Sequence, residues 1–212
     1  MRLRKKAWIK DAIMELKDEY VILENIDSHK GSWSRFFPGK KIALEIGCGK
    51  GAFINGMAEL NKDKAYIGVE TQQDVAYYAA KKAKEAGNGN ALIICGNAAY
   101  LEDWFAPGEI KEIYLNFSDP WPKARHERRR LTHRSFLEIY KNLLGAGGHL
   151  RFKTDNRALF DFSIEEFKAC GLEIIALSYD LHHSEHPNPV MTEYEMKFSA
   201  LGNPICFCEA VF

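Results

Sequence analysis

Short apolar runs alternate with helix-length amphipathic stretches along most of this chain. The runs fall at residues 42–46, 65–69, 91–95, 113–117, 149–153, 172–179 and 205–212. Each is bounded by glycine, asparagine or charged residues, the pattern of strands buried in a sheet. Between them lie helical stretches: one through Phe53, Met57 and Leu60, and one reaching about Glu85. A short one opens at Gly96-Asn97-Ala98, others cover 135–144 and 156 to about 170, and a brief one lies near 194–201. This rhythm predicts an α/β fold with a mostly parallel, doubly wound sheet covered on both faces. Ahead of it, Ile9, Ile13, Leu16 and Tyr20 have helical spacing, which predicts an amphipathic helix of roughly three turns. Trp33, Phe36 and Phe37 precede Pro38-Gly39 as an aromatic cluster expected to pack on the sheet. Residues 1–40 thus read as a helical extension and 41–212 as the main domain.

Composition adds that the chain is globular, with 46% hydrophobic and 12% aromatic residues in 212. The 29 basic and 29 acidic residues cancel, so bulk charge selects no partner, but its distribution does. Arg2, Arg4, Lys5, Lys6 and Lys10 crowd the start without an acid, and residues 123–134 hold six Lys/Arg against Glu127 alone. Local basic patches on a neutral chain predict a directed site for a polyanion. The five cysteines show no C-x-x-C pair, and Cys206 and Cys208 alternate along an apolar run, which is reduced, cytoplasmic usage. No signal peptide or membrane span is apparent. His182 and His186 have H-x-x-x-H spacing, but without a second ligand pair they predict a polar loop and no metal site.

Doubly wound sheets bind ligands beyond the carboxyl ends of their strands. At those ends lie Glu45 to Gly51, Glu70, Asn97, residues 116–123 and Asp155. Gly47, Gly49 and Ala52 satisfy a dinucleotide G-x-G-x-x-A pattern, while Gly47, Gly49 and Gly51 satisfy G-x-G-x-G. Both bring a ligand close to bare backbone, and Glu70 could bind a ribose diol under either. Glu45 separates them. A carboxylate two residues before the first glycine would repel a pyrophosphate, but it suits the sulfonium and ammonium of S-adenosylmethionine. Asn97 offers donors and an acceptor for an adenine edge.

These residues also carry a resemblance. Leu44-Glu45-Ile46-Gly47-Cys48-Gly49-Lys50-Gly51 resembles motif I of the class I methyltransferases. Asn116-Phe117-Ser118-Asp119-Pro120-Trp121-Pro122-Lys123 resembles the D-P-W-P-K signature of the bacterial tRNA (guanine-N7-)-methyltransferases, and residues 192–198 their T-x-Y/F-E-x-K-F segment. Asn97 departs from the Asp of many methyltransferases, keeping the hydrogen-bonding shape without the charge. The resemblance implies a Rossmann-like class I methyltransferase fold of seven strands, the last antiparallel, with 41–212 as the S-adenosylmethionine-dependent domain. It implies methyl transfer to N7 of the variable-loop guanine of tRNA, position 46. Glu45, Gly47, Gly49, Gly51, Glu70, Asn97 and Asp119 would hold the cofactor, with Asp119 as the catalytic residue. Lys123, Asp155, Thr192 and Glu195 would contact substrate, and Arg125, His126, Arg128, Arg129 and Arg130 the RNA backbone. The expected partners are tRNA and the methyl donor, with no membrane or metal, in a monomer or homodimer.

Guanine N7 carries a lone pair and no proton, so the transfer needs alignment and not a general base. A carboxylate near the base stabilises the cationic product ring, and Asp119 and Asp155 are the candidates. Trp121, between two prolines, either stacks on the base or shapes the turn. An amino-group methyltransferase would carry two prolines before the aromatic, whereas Ser118-Asp119-Pro120-Trp121 has one. A dehydrogenase conflicts with Glu45, and an inactive RNA-binding relative has no use for Glu45, Glu70, Asp119 and Asp155 together.

Overall fold

A computed structural model describes residues 8–212; Arg2, Arg4, Lys5 and Lys6 lie outside the described residues. Helix α1 (Ile9–Met14) and strand β1 (Val21–Ile22) precede β2 (Lys41–Ile46), α2 (Ala52–Leu60), β3 (Lys64–Glu70), α3 (Gln73–Glu85) and β4 (Ala91–Cys95). Then come α4 (Leu101–Trp104), β5 (Ile110–Asn116), α5 (Arg134–Leu144), β6 (His149–Thr154), α6 (Arg157–Ala169), β7 (Glu173–Ser178), α7 (Glu193–Ser199) and β8 (Cys206–Val211). The strands form one sheet in the order β1-β4-β3-β2-β5-β6-β8-β7. β8 runs antiparallel to both β6 and β7, while the other pairs are parallel. The expected architecture is therefore present, with β1 as an eighth, two-residue edge strand. The order reverses at the junction of β2 and β5, the switch point at which such sheets open a ligand crevice.

The two-residue period of the pleat divides the side chains of β2 between the two faces of the sheet. Ile42, Leu44 and Ile46 of β2 join Trp104, Tyr140, Phe160 and Phe167 of α4, α5 and α6. Ala43, on the opposite face, joins Ile9 and Ile13 of α1, Phe53 and Ile54 of α2, and Ala76 and Ala80 of α3. Glu45 projects to this second face, a carboxylate only 3% exposed.

The residues before Lys41 pack on both faces. α1 is shorter than its apolar spacing suggests, yet Ile9, Ile13 and Leu16 are all buried. Trp33 is fully buried, and its Nε1 donates to the Trp104 carbonyl at 2.8 Å, so its one polar atom is satisfied. Cys206 and Cys208 are both buried in the first face's cluster. No helix among the described residues is long and apolar enough to cross a membrane.

Candidate active site

The glycine loop leaves β2 by turning back onto β3, where the Gly47 and Cys48 amides donate to the Val69 carbonyl at 2.8 and 3.0 Å. Gly47 has φ +80°, and a Cβ there would point into open space, leaving bare backbone toward the crevice. Gly51 differs. A Cβ on it would lie 2.7 Å from that of Ala79, so this glycine lets α2 approach α3. The Gly49 amide donates to Glu70 Oε2 at 3.2 Å, and Glu70 Oε1 accepts from the Gln72 amide at 2.9 Å. Glu70 is thereby fixed at the end of β3. Asn97 caps the turn after β4, its Oδ1 accepting from the Ala99 amide at 3.0 Å.

These ends border a cavity of about 570 Å³, a volume suited to a nucleoside-sized ligand. Gly47, Glu70, Asn97 and Ala98 line one side; Asp119, Trp121, Arg128 and Arg129 line it too. Of the residues expected to share a pocket, the cavity gathers Gly47, Glu70, Asn97 and Asp119. Glu45 stays inside β2, where its Oε1 accepts from Asn116 Nδ2 at 2.9 Å while Oε2 is buried without a donor. Burial pushes the Glu45 carboxyl up to about 8, against the opposing pull of Asn116 and Lys153.

The opposite wall is the turn after β5. The strand ends at Asn116 because Phe117 takes a left-handed φ of +53°, and Trp121 follows at +40°. Two non-glycine residues in that region cost about 1–3 kcal/mol each, so the surroundings must hold them. The Phe117 amide donates to the Lys153 carbonyl at 2.8 Å. Trp121 is half-exposed, with the Arg129 guanidinium 4.9 Å from its ring and the His126 ring edge-on at 5.8 Å. The basic segment forms a 3-10 turn, Ala124–Arg129, on which Arg125, Arg128 and Arg129 are exposed, with Lys123 exposed just before it. Arg130 instead turns inward, bonding the carbonyls of Pro120 and Trp121.

The C-terminal motif packs on this turn, the Tyr194 ring lying 4.9 Å from that of Phe117. Thr192 and Glu195 form a capping box at the start of α7 and are both buried. Glu195 accepts from Lys153 Nζ at 2.6 Å and Asn188 Nδ2 at 2.6 Å, and His182 Nε2 lies 2.9 Å away. Burial works against the charge on Glu195, but these partners hold its carboxyl below the ordinary range. Between the two carboxylates expected near the base, Asp155 accepts from Tyr194 at 2.9 Å, while Asp119 is exposed at the cavity. Among the described residues no group of three potential metal ligands occurs; His183 bonds Asp180 instead.

Sequence reasoning passed over Asn116 and Lys153 as partners inside the site, and it placed Arg130 only among the contacts to the RNA backbone. The signal for Lys153 was available, since Leu150 and Phe152 alternate with Arg151 and Lys153, which places a lysine on the same sheet face as Glu45.

A family model described as "Putative methyltransferase" matches residues 39–208. A tRNA (guanine-N(7)-)-methyltransferase of Bacillus subtilis is 47% identical over 206 residues, covering 97% of this chain and 96% of the relative. The chain belongs to that family. A relative of the same description from Geobacillus is 48% identical and covers 100% of this chain and 96% of itself. A solved 16S rRNA methyltransferase, KamB, has the same fold, with a TM-score of 0.64, 11% identity, and coverage of 85% of this chain and 93% of that one. For this methyltransferase, the cavity opens at the β2–β5 switch point, where doubly wound sheets bind their ligands.

Proposed function

We propose that the protein transfers a methyl group from S-adenosylmethionine to N7 of the variable-loop guanine of tRNA in the cytoplasm. The observation that carries this is the shared cavity: Asp119, Trp121, Arg128 and Arg129 line the same space as Glu70 and Asn97. One ligand face and one cationic face therefore meet across a single turn. The donor's cationic groups fit a buried carboxylate oxygen without a donor, Glu45 Oε2, and its backbone-hugging portion fits the open space at Gly47. When bound, S-adenosylmethionine supplies an electrophilic methyl.

The chain's own residues do the aligning. Glu70 holds a ribose diol, Asn97 an adenine edge, and Gly47 and Gly49 allow the close approach, while Gly51 fixes the loop on α3. Asp119 faces the target base and stabilises positive charge as it develops on the purine. Holding nitrogen, methyl and sulfur in line can supply about 7–11 kcal/mol. Lys123 and Asp155 flank the guanine, the Thr192–Glu195 turn closes its far side, and Arg125, His126, Arg128 and Arg129 engage backbone phosphates.

The test is incubation with labelled S-adenosylmethionine and tRNA, followed by digestion to nucleosides. The expected product is 7-methylguanosine, lost when the variable-loop guanine is replaced and lost in Asp119→Ala with folding retained. Label in methyladenosine, or no transfer, overturns the proposal.

A further inference from the structure

Arg130 ends the basic run, yet its environment differs from that of its neighbours. Its Nε donates to the Pro120 carbonyl at 3.1 Å and its Nη2 to the Trp121 carbonyl at 3.2 Å. The guanidinium carbon lies over the ring of Phe162 on α6, 4.2 Å from its centroid. The turn it grips is short of internal donors, because Pro120 and Pro122 have no N–H. Among the described residues no backbone amide donates to either carbonyl. Trp121, at φ +40°, is one of the two left-handed residues of the turn, and a strained residue persists only where its surroundings over-determine it.

We infer that Arg130 is a positioning residue, a two-pronged clamp that ties the Asp119-Pro120-Trp121-Pro122 turn to α6, and not a contact to RNA phosphate. This rests on the methyltransferase proposal for its functional meaning. The clamp needs both prongs and the planar face, which arginine supplies and lysine does not. Charge alone would suffice for a phosphate contact, so the two roles respond in opposite ways to the same pair of substitutions.

Arg130→Lys keeps the charge and loses the fork; Arg130→Gln loses the charge. If Arg130 is a clamp, Arg130→Lys lowers kcat at saturating tRNA by about tenfold or more, since misplacement of about 1 Å can cost a hundredfold. Its tRNA Kd stays within about twofold of wild type, and in both variants the slope of log Kd against log salt is unchanged. Phe162→Leu, which removes the ring and touches no charge, gives the same pattern in milder form and serves where the Arg130 variants fail to fold. Full kcat in Arg130→Lys, or tRNA binding by Arg130→Gln that is weaker with a slope lower by about one phosphate contact, roughly 0.7–0.9, overturns the inference. Wild-type protein in the same assay separates the two claims. Absence of transfer to tRNA there defeats the methyltransferase proposal, while the binding slopes of the variants still decide whether Arg130 meets phosphate.

Discussion

Glu45 is committed on one side and vacant on the other. Asn116 of β5 donates to Oε1, and Oε2 is buried with no donor. The charged groups facing it are Lys153 of β6 and Glu193 of α7, with the Cys48 thiol beside them. Lys153 is already paired with Glu195, so it does not supply a full counter-charge. With its carboxyl pushed up to about 8 from an ordinary value of 4.5, Glu45 holds its proton at neutral pH until a cation arrives. The expected outcome is that methyl-donor binding at pH 7 releases close to one proton. Titration calorimetry in two buffers of different ionisation enthalpy reads this directly, and equal enthalpies in both would sink the idea. The stability consequence has a definite sign. An acid whose folded value is raised contributes stability below about 4.5, and this is lost as pH climbs through about 8. The slope is up to about 1.4 kcal/mol per pH unit. Urea unfolding of wild type between pH 5 and 8 should show this fall and Glu45→Gln should not. The acid itself was legible as an anomaly in an apolar strand, but its protonation was not, because that depends on burial and on neighbours from three other elements.

α7 shows how one motif serves two ends. Thr192 and Glu195 stand in a T-x-x-E pattern that satisfies the free amides at a helix start, Thr192 Oγ1 accepting from the Glu195 amide at 2.9 Å. The Glu195 carboxylate then reaches into the buried ion pair with Lys153, anchoring the helix to β6. Removing one partner of such a pair leaves a buried charge unmatched, at about 3–5 kcal/mol. Glu195→Ala should therefore destabilise the protein by about that much, and Thr192→Ala by about 1 kcal/mol, measured by denaturant unfolding. A loss below 1 kcal/mol for Glu195→Ala would show that the pair does not anchor α7. Strands of five to seven residues were readable because their apolar runs are sharply bounded. β1 was not, since two residues carry no period, and it forms only because β4 offers an open edge at Ile93 and Ile94. The end of β5 moved back to Asn116 because Phe117 turns left-handed, a choice imposed by the turn and not by the side chain. Gly51 and Arg130 share a run with residues of other duty, so only their contacts, with Ala79 and with the turn's carbonyls, distinguish them.

At the scale of the molecule, equal numbers of basic and acidic residues leave little net attraction to draw a polyanion from afar. Capture then depends on the cationic wall itself, within about a Debye length of 8 Å at physiological salt. Arg125 and Arg128 are exposed on the 3-10 turn, whereas Arg130 is folded inward, so loss of the first two should alter capture and loss of the third should alter alignment. For Arg125→Gln, which lies outside the cavity lining, the tRNA Kd should rise, and its slope against log salt should flatten by about 0.7–0.9, the value for one phosphate contact. At saturating tRNA the kcat should remain within about threefold of wild type, because the turn and the donor-facing residues keep their places. The effect should thus appear in KM, the reverse of the Arg130→Lys pattern. A collapse of kcat with an unchanged salt slope would mean that the 3-10 turn shapes the cavity instead of holding RNA, and that the polyanion docks elsewhere on the molecule.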